Sequence, residues 1–196
     1  MNRAELKSLA KEQIQGRIGI LFLIMLIVGL ITGAAVAVPV VGSVACAVVL
    51  TPVFTLALVK IFLGMTYGEA PEIAKLFADF NKFWSAFKVT FLVGLFVSLW
   101  SLLFVIPGIV KALSYSQAMY ILAENPDIGA REAINRSKAM MEGHKMELFV
   151  LGLSFIGWHL LGAVTIGIAY IYVLPYMNAT MANFYNSIKG NTAVEG

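Results

Sequence analysis

The chain has 196 residues, 60% hydrophobic and only 13% charged, with a mean hydropathy of +0.85. A soluble domain carries about 25% charged residues, so this composition excludes an ordinary water-soluble domain and fits a polytopic membrane protein. The net charge of +3 is too small and too local for a nucleic-acid binder, and the single cysteine, Cys46, excludes an intrachain disulfide or a multi-cysteine metal site.

Residues 1–17 come first. Asn2 followed by Glu5 has the spacing of a capping box, and Leu6, Leu9, Ala10 and Ile14 fall on one stripe. This predicts a short amphipathic helix on the inner leaflet. The apolar run 18–38 has the length of a full span rather than a signal-peptide core, although Ala35-Val36-Ala37 mimics a cleavage site. Gly29 and Gly33 form a G-x-x-x-G pair that lets membrane helices approach. A break at 39–43 precedes a second span at 41–63, followed by a charged segment, 64–83. The third span, 84–106, is separated from the fourth, 108–123, only by Pro107-Gly108. Another charged segment, 124–145, holds two competing helix starts, Asn125-Pro126-Asp127 and Gly129 with Glu132. Ala130, Ala133, Ile134, Ser137, Met140 and Met141 then share a face, Arg131, Arg136, Lys138 and Glu142 point elsewhere, and Gly143 ends the helix. Spans five and six follow at 146–164 and 166–188, joined at 163–167, with Lys189 and Glu195 in the tail.

The breaks alternate between short uncharged turns and long charged segments. Under the positive-inside rule the charged set is cytoplasmic. The expected fold is therefore all-α: one membrane domain of six spans in three hairpins, with short amphipathic cytoplasmic helices and both termini inside. Its parts are an amphipathic inner-leaflet helix at 1–17, hairpin 18–63, a cytoplasmic helix plus hairpin at 64–123, and a cytoplasmic helix plus hairpin at 124–188. Lys60 and Lys88 stand near inner helix ends and can snorkel there. Glu69-Ala70-Pro71-Glu72-Ile73 echoes Glu124-Asn125-Pro126-Asp127-Ile128, and Phe91, Gly94, Leu95 and Trp100 echo Phe149, Gly152, Leu153 and Trp158. Hairpins two and three then read as related units, each a cytoplasmic helix feeding a span.

Several short motifs carry a family likeness. They are Leu99-Trp100-Ser101-Leu102-Leu103, Ile106-Pro107-Gly108-Ile109, Ser114-Tyr115-Ser116 and Tyr120-Ile121-Leu122. They continue with Asn125-Pro126, Ala133-Ile134, Arg136-Ser137-Lys138, Met141, Gly143-His144-Lys145, the run from Leu153 to Trp158, Pro175-Tyr176 and Phe184-Tyr185. Through these the chain resembles a family of bacterial multi-pass membrane proteins catalogued as domain of unknown function 975. Tyr67 stands where the resemblance leads one to expect a basic residue. The resemblance implies an integral membrane fold in the bacterial plasma membrane and carries no reaction with it. A looser likeness to the membrane region of some glycerophosphodiesterases lacks any counterpart of their catalytic domain.

Enzyme motifs are absent from the sequence. His144 and His159 lie in no metal-binding spacing, and no nucleophile elbow, P-loop or carboxylate pair stands out, so no catalytic residue, metal or cofactor is assigned. Polar residues inside the spans are Ser114, Ser116, Gln117, Asn178, Thr180 and Asn183, which read mainly as interhelical hydrogen-bonding groups. Lys111 is unusual, since it stands in an apolar stretch, in the first turn of a helix, with no acid between Asp79 and Glu124. It either snorkels to outer phosphates or joins Ser114, Tyr115, Ser116, Gln117 and His159 in binding an anion or lipid head group. Arg131, Arg136, Lys138 and Lys145 offer a cytoplasmic surface to the inner leaflet or a protein partner. The expected role is non-enzymatic binding of lipid or a protein partner, as an accessory or envelope component. The runners-up are a small transporter of an amphiphilic or anionic solute and, more weakly, a lipid-modifying enzyme.

Overall fold

A computed structural model describes residues 2–37, 43–44 and 46–192. The turn expected at 39–43 falls almost wholly outside the described residues, as do Glu195 and the side chain of Cys46. The described residues form helices and turns, with no strand among them. Four helices are long and apolar enough to cross a membrane: Ile18–Val36, Val48–Thr66, Ile73–Leu102 and Lys145–Val164. Large apolar side chains face outward, among them Leu102, Ile106, Val164 and Ile166. A water-soluble protein would bury such residues.

Helix α1 (Arg3–Ile14) starts with the expected capping box. The Asn2 amide donates to the Glu5 carboxylate at 2.8 Å, and Ala4 N–H donates to the Asn2 side chain. Leu6, Ala10 and Ile14 of its stripe are buried, but the protein itself covers them, and only Leu9 stays exposed. Helix α2 (Ile18–Val36) is apolar on all sides. Among the described residues, a Cβ at Gly29 or Gly33 would meet nothing within 4 Å. A π-turn at Cys46–Leu50 leads into α3 (Thr51–Thr66).

The first charged loop is built differently from its echo. It forms two 3-10 turns, Ile73–Leu76 and Phe80–Lys82, and no α-helix. Lys60 does not snorkel freely, because its ammonium meets Asp79 at 2.6 Å. Helix α4 (Phe83–Leu103) ends at Phe104, whose extended backbone turns the chain into α5 (Val105–Tyr115). The break thus falls before Pro107, which occupies the first turn of α5, where its missing N–H costs nothing. Gly108 is what permits so tight a hairpin. A Cβ there would strike Ser101, coming within 2.9 Å of its Cα.

The span expected at 108–123 is divided into α5 and α6 (Ala118–Glu124), each too short to cross alone. Of the two helix starts read from the second charged segment, Gly129 is the N-cap, opening α7 (Ala130–Met140). Ala130, Ala133, Ile134 and Ser137 are buried on its apolar face, against α4, α5 and α6, while Arg131, Arg136 and Lys138 are exposed. Gly143, at φ +80°, turns the chain into α8 (Lys145–Leu153). Helix α9 (Ile156–Val164) continues it after a break, and α10 (Tyr170–Thr192) closes the described chain. Pro175, Asn178, Thr180 and Asn183 make α10 less apolar than the four long helices.

Candidate functional site

Two helix breaks define the site, and a serine stands at each. In the stretch Leu113 to Gln117, Ser114 Oγ donates to the Val110 carbonyl at 2.8 Å and Ser116 Oγ donates to Leu113 at 2.8 Å. Serine hydroxyls that bond back to helix carbonyls compete with the helix ladder and bend it. The groups loosened here are met by Ser137 of α7. Its hydroxyl donates to the Ser114 carbonyl at 2.8 Å and accepts from Gln117 N–H at 3.1 Å. At the second break, Ser154 Oγ donates to the Leu151 carbonyl at 2.5 Å. The Ser154 carbonyl accepts from Lys7 Nζ of α1 at 3.3 Å, and that ammonium stands 4.4 Å from the centre of the Phe155 ring. Each break is therefore stitched by a side chain from one of the two short helices α1 and α7. Burial, then the charges of Arg3 and Lys11, hold the Lys7 ammonium below its ordinary pKa.

Between the breaks lies a cavity of about 520 Å³. Leu113, Ser116, Gln117 and Tyr120 form one wall, Leu148, Phe149, Gly152, Leu153 and Ile156 the other, and Met181 of α10 stands between them. Among the described residues, no charged side chain lines it. Gln117 is seven residues from Glu124 and Ser154 nine from Lys145, so the breaks lie about 10–14 Å from those helix ends. Leu153 and Ile156 are 46% and 51% exposed, so the cavity opens sideways toward the outer surface of the bundle.

The charged end of the bundle carries two further features. Glu124 gathers three donors: Lys189 Nζ at 2.7 Å, Tyr185 Oη at 2.7 Å and Tyr67 Oη at 2.9 Å. Burial alone would raise its pKa, but the hydrogen bonds from Lys189, Tyr185 and Tyr67 and the charge of Lys189 hold the carboxyl below its ordinary value. The Lys189 ammonium loses something to burial and gains more from Glu124, which raises its pKa. A second cavity, about 410 Å³, lies where Arg3 and Leu6 of α1 face His144, Glu147, Ser187 and Ile188. There His144 Nδ1 and the Glu147 carboxylate are 2.9 Å apart.

The family described as "Protein of unknown function (DUF975)" matches residues 1–114 and 102–192. The chain belongs to this family. No curated protein and no solved structure matches it significantly.

In this DUF975 chain the residues singled out from sequence go to different places. Ser116 and Gln117 line the 520 Å³ cavity. Ser114 and Ser137 form the stitch behind it, and Tyr115 packs against Phe96. Lys111 lies 4.8 Å from the centre of the Trp100 ring. His159 is paired instead with Tyr170, Nδ1 to Oη at 3.4 Å. Asn178 and Thr180 donate to carbonyls four residues back in their own helix, whereas Asn183 exchanges two hydrogen bonds with Gln13 of α1, at 3.0 and 2.8 Å. Arg131, Arg136, Lys138 and Lys145 stay on the surface of α7 and the start of α8, with Arg136 paired to Glu132. Glu124, Gly152 and Glu147 carry no motif in the sequence that points to a site. Ser154 stands alone as a polar residue in an apolar run, which by itself does not mark a break.

Proposed function

We propose that the protein is a six-span integral protein of the bacterial plasma membrane, both termini cytoplasmic, that binds a membrane lipid without transforming it. The observation that supports this is the cavity between the two helix breaks. It is uncharged, lies well inside the apolar length of the helices, and opens on a lipid-facing side. A ligand reaching it by that route comes from the bilayer. The alternation of short and charged connections supports the three-hairpin topology, with 108–123 and 166–188 crossing as a broken helix and a polar one. The exposed Arg131, Arg136 and Lys138 suit contact with anionic head groups or with an acidic cytoplasmic partner.

The test is lipid retention. Gly152 lines the cavity, and a Cβ there would meet nothing within 4 Å, so Gly152→Phe is the variant expected to fill the space. The parent protein, purified in mild detergent, is expected to carry lipid detectable by native mass spectrometry, and Gly152→Phe to carry much less. Equal retention would sink the reading. A second reading, a small transporter of an amphiphilic or anionic solute, draws on the mixed polar and apolar cavity containing Arg3 and His144. Solute flux into proteoliposomes, absent from Arg3→Ala, would favour it.

A further inference from the structure

Helix α1 carries three cations, Arg3, Lys7 and Lys11, four residues apart beside its buried stripe. Like charges at that spacing repel one another. Among the described residues none of the three forms an ion pair, whereas Lys60, Lys75 and Lys189 each meet a carboxylate at 2.6–2.7 Å. Two members of the row lean on one aromatic cluster. Lys7 Nζ stands 4.4 Å from the centre of the Phe155 ring, and Lys11 Nζ 5.8 Å from that of Tyr176. These two rings meet edge to face with centres 5.5 Å apart, and Trp158 and Tyr172 complete the cluster. Phe155 and Tyr176 are buried, Trp158, Tyr172 and Lys7 are half-buried, and Lys11 is exposed. Ring faces attract an ammonium, but they bring no negative charge and leave most of its protons unused. An ammonium has three to give. Lys7 spends one on the Ser154 carbonyl, and Lys11 spends none on a described residue. Two cations one helix turn apart are thus drawn against the bundle with no acid to balance them.

We propose that Lys7 and Lys11 hold a phosphate group, carried by an anionic phospholipid or by a soluble phosphate ester, at the edge of this aromatic cluster. The phosphate oxygens accept charged hydrogen bonds from both ammoniums and relieve the repulsion along the row. In the lipid case the half-buried Trp158 and Tyr172 give the glycerol and upper acyl chain an apolar surface, as aromatic side chains do at head-group level. Basic recesses between helices at the cytoplasmic side are suited to such head groups. Lys7 and Lys11 belong to α1 and the rings to the Ser154 break, α9 and α10, so the bound phosphate also fastens the first helix to the bundle. None of these residues lines the 520 Å³ cavity. The inference therefore goes beyond the cavity-based reading and does not rest on it.

The test titrates the full chain in mild detergent with phosphatidylglycerol, phosphatidylcholine and glycerol phosphate. Native mass spectrometry reads the bound ligand, and amide hydrogen exchange reads α1. Phosphatidylglycerol is expected to bind more tightly than phosphatidylcholine, whose choline cation meets the lysines' own charge, and to slow exchange across residues 3–14. Lys11→Gln should weaken that binding about ten-fold, as loss of one charged hydrogen bond allows, and Lys11→Arg should retain it. Lys7→Gln should weaken it too, but Lys7 also holds the Ser154 carbonyl, so Lys11 carries the test. Lys88→Gln, which removes an exposed charge elsewhere, should leave binding as it was. Slowed exchange with glycerol phosphate assigns the site to a soluble ester, and slowed exchange with phosphatidylglycerol alone assigns it to lipid; either upholds a phosphate site. Equal binding by the parent and Lys11→Gln, equal weakening by Lys88→Gln, or no binding of either phosphate by the parent overturns it. The cavity reading is scored separately, by Gly152→Phe, so the two can fail independently.

Discussion

Glu124 collects a lysine and two tyrosine hydroxyls from two separated parts of the chain, α10 and the end of α3, and its charge state decides whether they stay together. The sign of the pH effect follows from the two shifts. Glu124 is held below its ordinary pKa, so its contribution is complete above the ordinary carboxylate value, about 4.3, and is lost as pH falls through the folded value. Lys189 is held above its ordinary pKa, so its contribution is complete below about 10.4 and is lost as pH rises through the folded value. The melting temperature in detergent is expected to be flat between those limits and to fall outside them. Glu124→Gln should flatten the acid limb and destabilise the fold by about 1–3 kcal/mol, since charged hydrogen bonds are lost. An unchanged acid limb would show that the hub does not carry it. Lys111, beside Trp100, makes a smaller contribution. Lys111→Gln and Trp100→Leu should each cost about 0.5–1 kcal/mol, and the double variant no more than either alone. Strict additivity of the two would mean that the ring contact contributes nothing.

The helices pack through small residues at a few close approaches. Gly108 is one, Ala10 of α1 against α10 another. Gly108→Ala should destabilise by about 1–3 kcal/mol, because Ser101 can move its side chain but not its Cα. Ser101→Gly should rescue it only in part, and full rescue would place the crowding on the side chain instead. Much of this level could be read from sequence. The box at Asn2 and Glu5, the buried face of α7 and the hairpin near Pro107 all follow from local chemistry, which a sequence carries openly. What the apolar stripes touch could not be read, because a buried alanine looks the same against lipid as against another helix. The breaks at Ser116 and Ser154 were equally hidden, since each depends on a donor more than twenty residues away, Ser137 or Lys7. Gln117 was visible as a polar residue in an apolar run. That its oxygen lacks a partner is a property of the packed structure alone.

For the whole molecule, the three-hairpin topology makes a direct expectation. In a Cys46→Ser background, Val105→Cys and Ile166→Cys, at exposed turns, should react in intact cells with an impermeant thiol reagent, while Lys75→Cys and Lys138→Cys should not. Labelling at Lys75→Cys or Lys138→Cys would require a different arrangement of the ends. Finally, the first helix docks on the last: Gln13 pairs with Asn183, 170 residues away, and Lys7 reaches Ser154. A chain grows from its amino terminus at about 5–20 residues per second, so α1 waits on the order of ten to thirty seconds for its partner to be made. Throughout that interval Leu6, Ala10 and Ile14 are uncovered beside Arg3, Lys7 and Lys11. A nascent helix with that surface is expected to adhere to an anionic bilayer, and the membrane would then serve α1 as a temporary partner until α10 displaces it. Chains halted before residue 170 should hold α1 at the lipid surface in a salt-sensitive state, and completed chains should hold it salt-resistant, which makes docking of the first helix the last step of assembly.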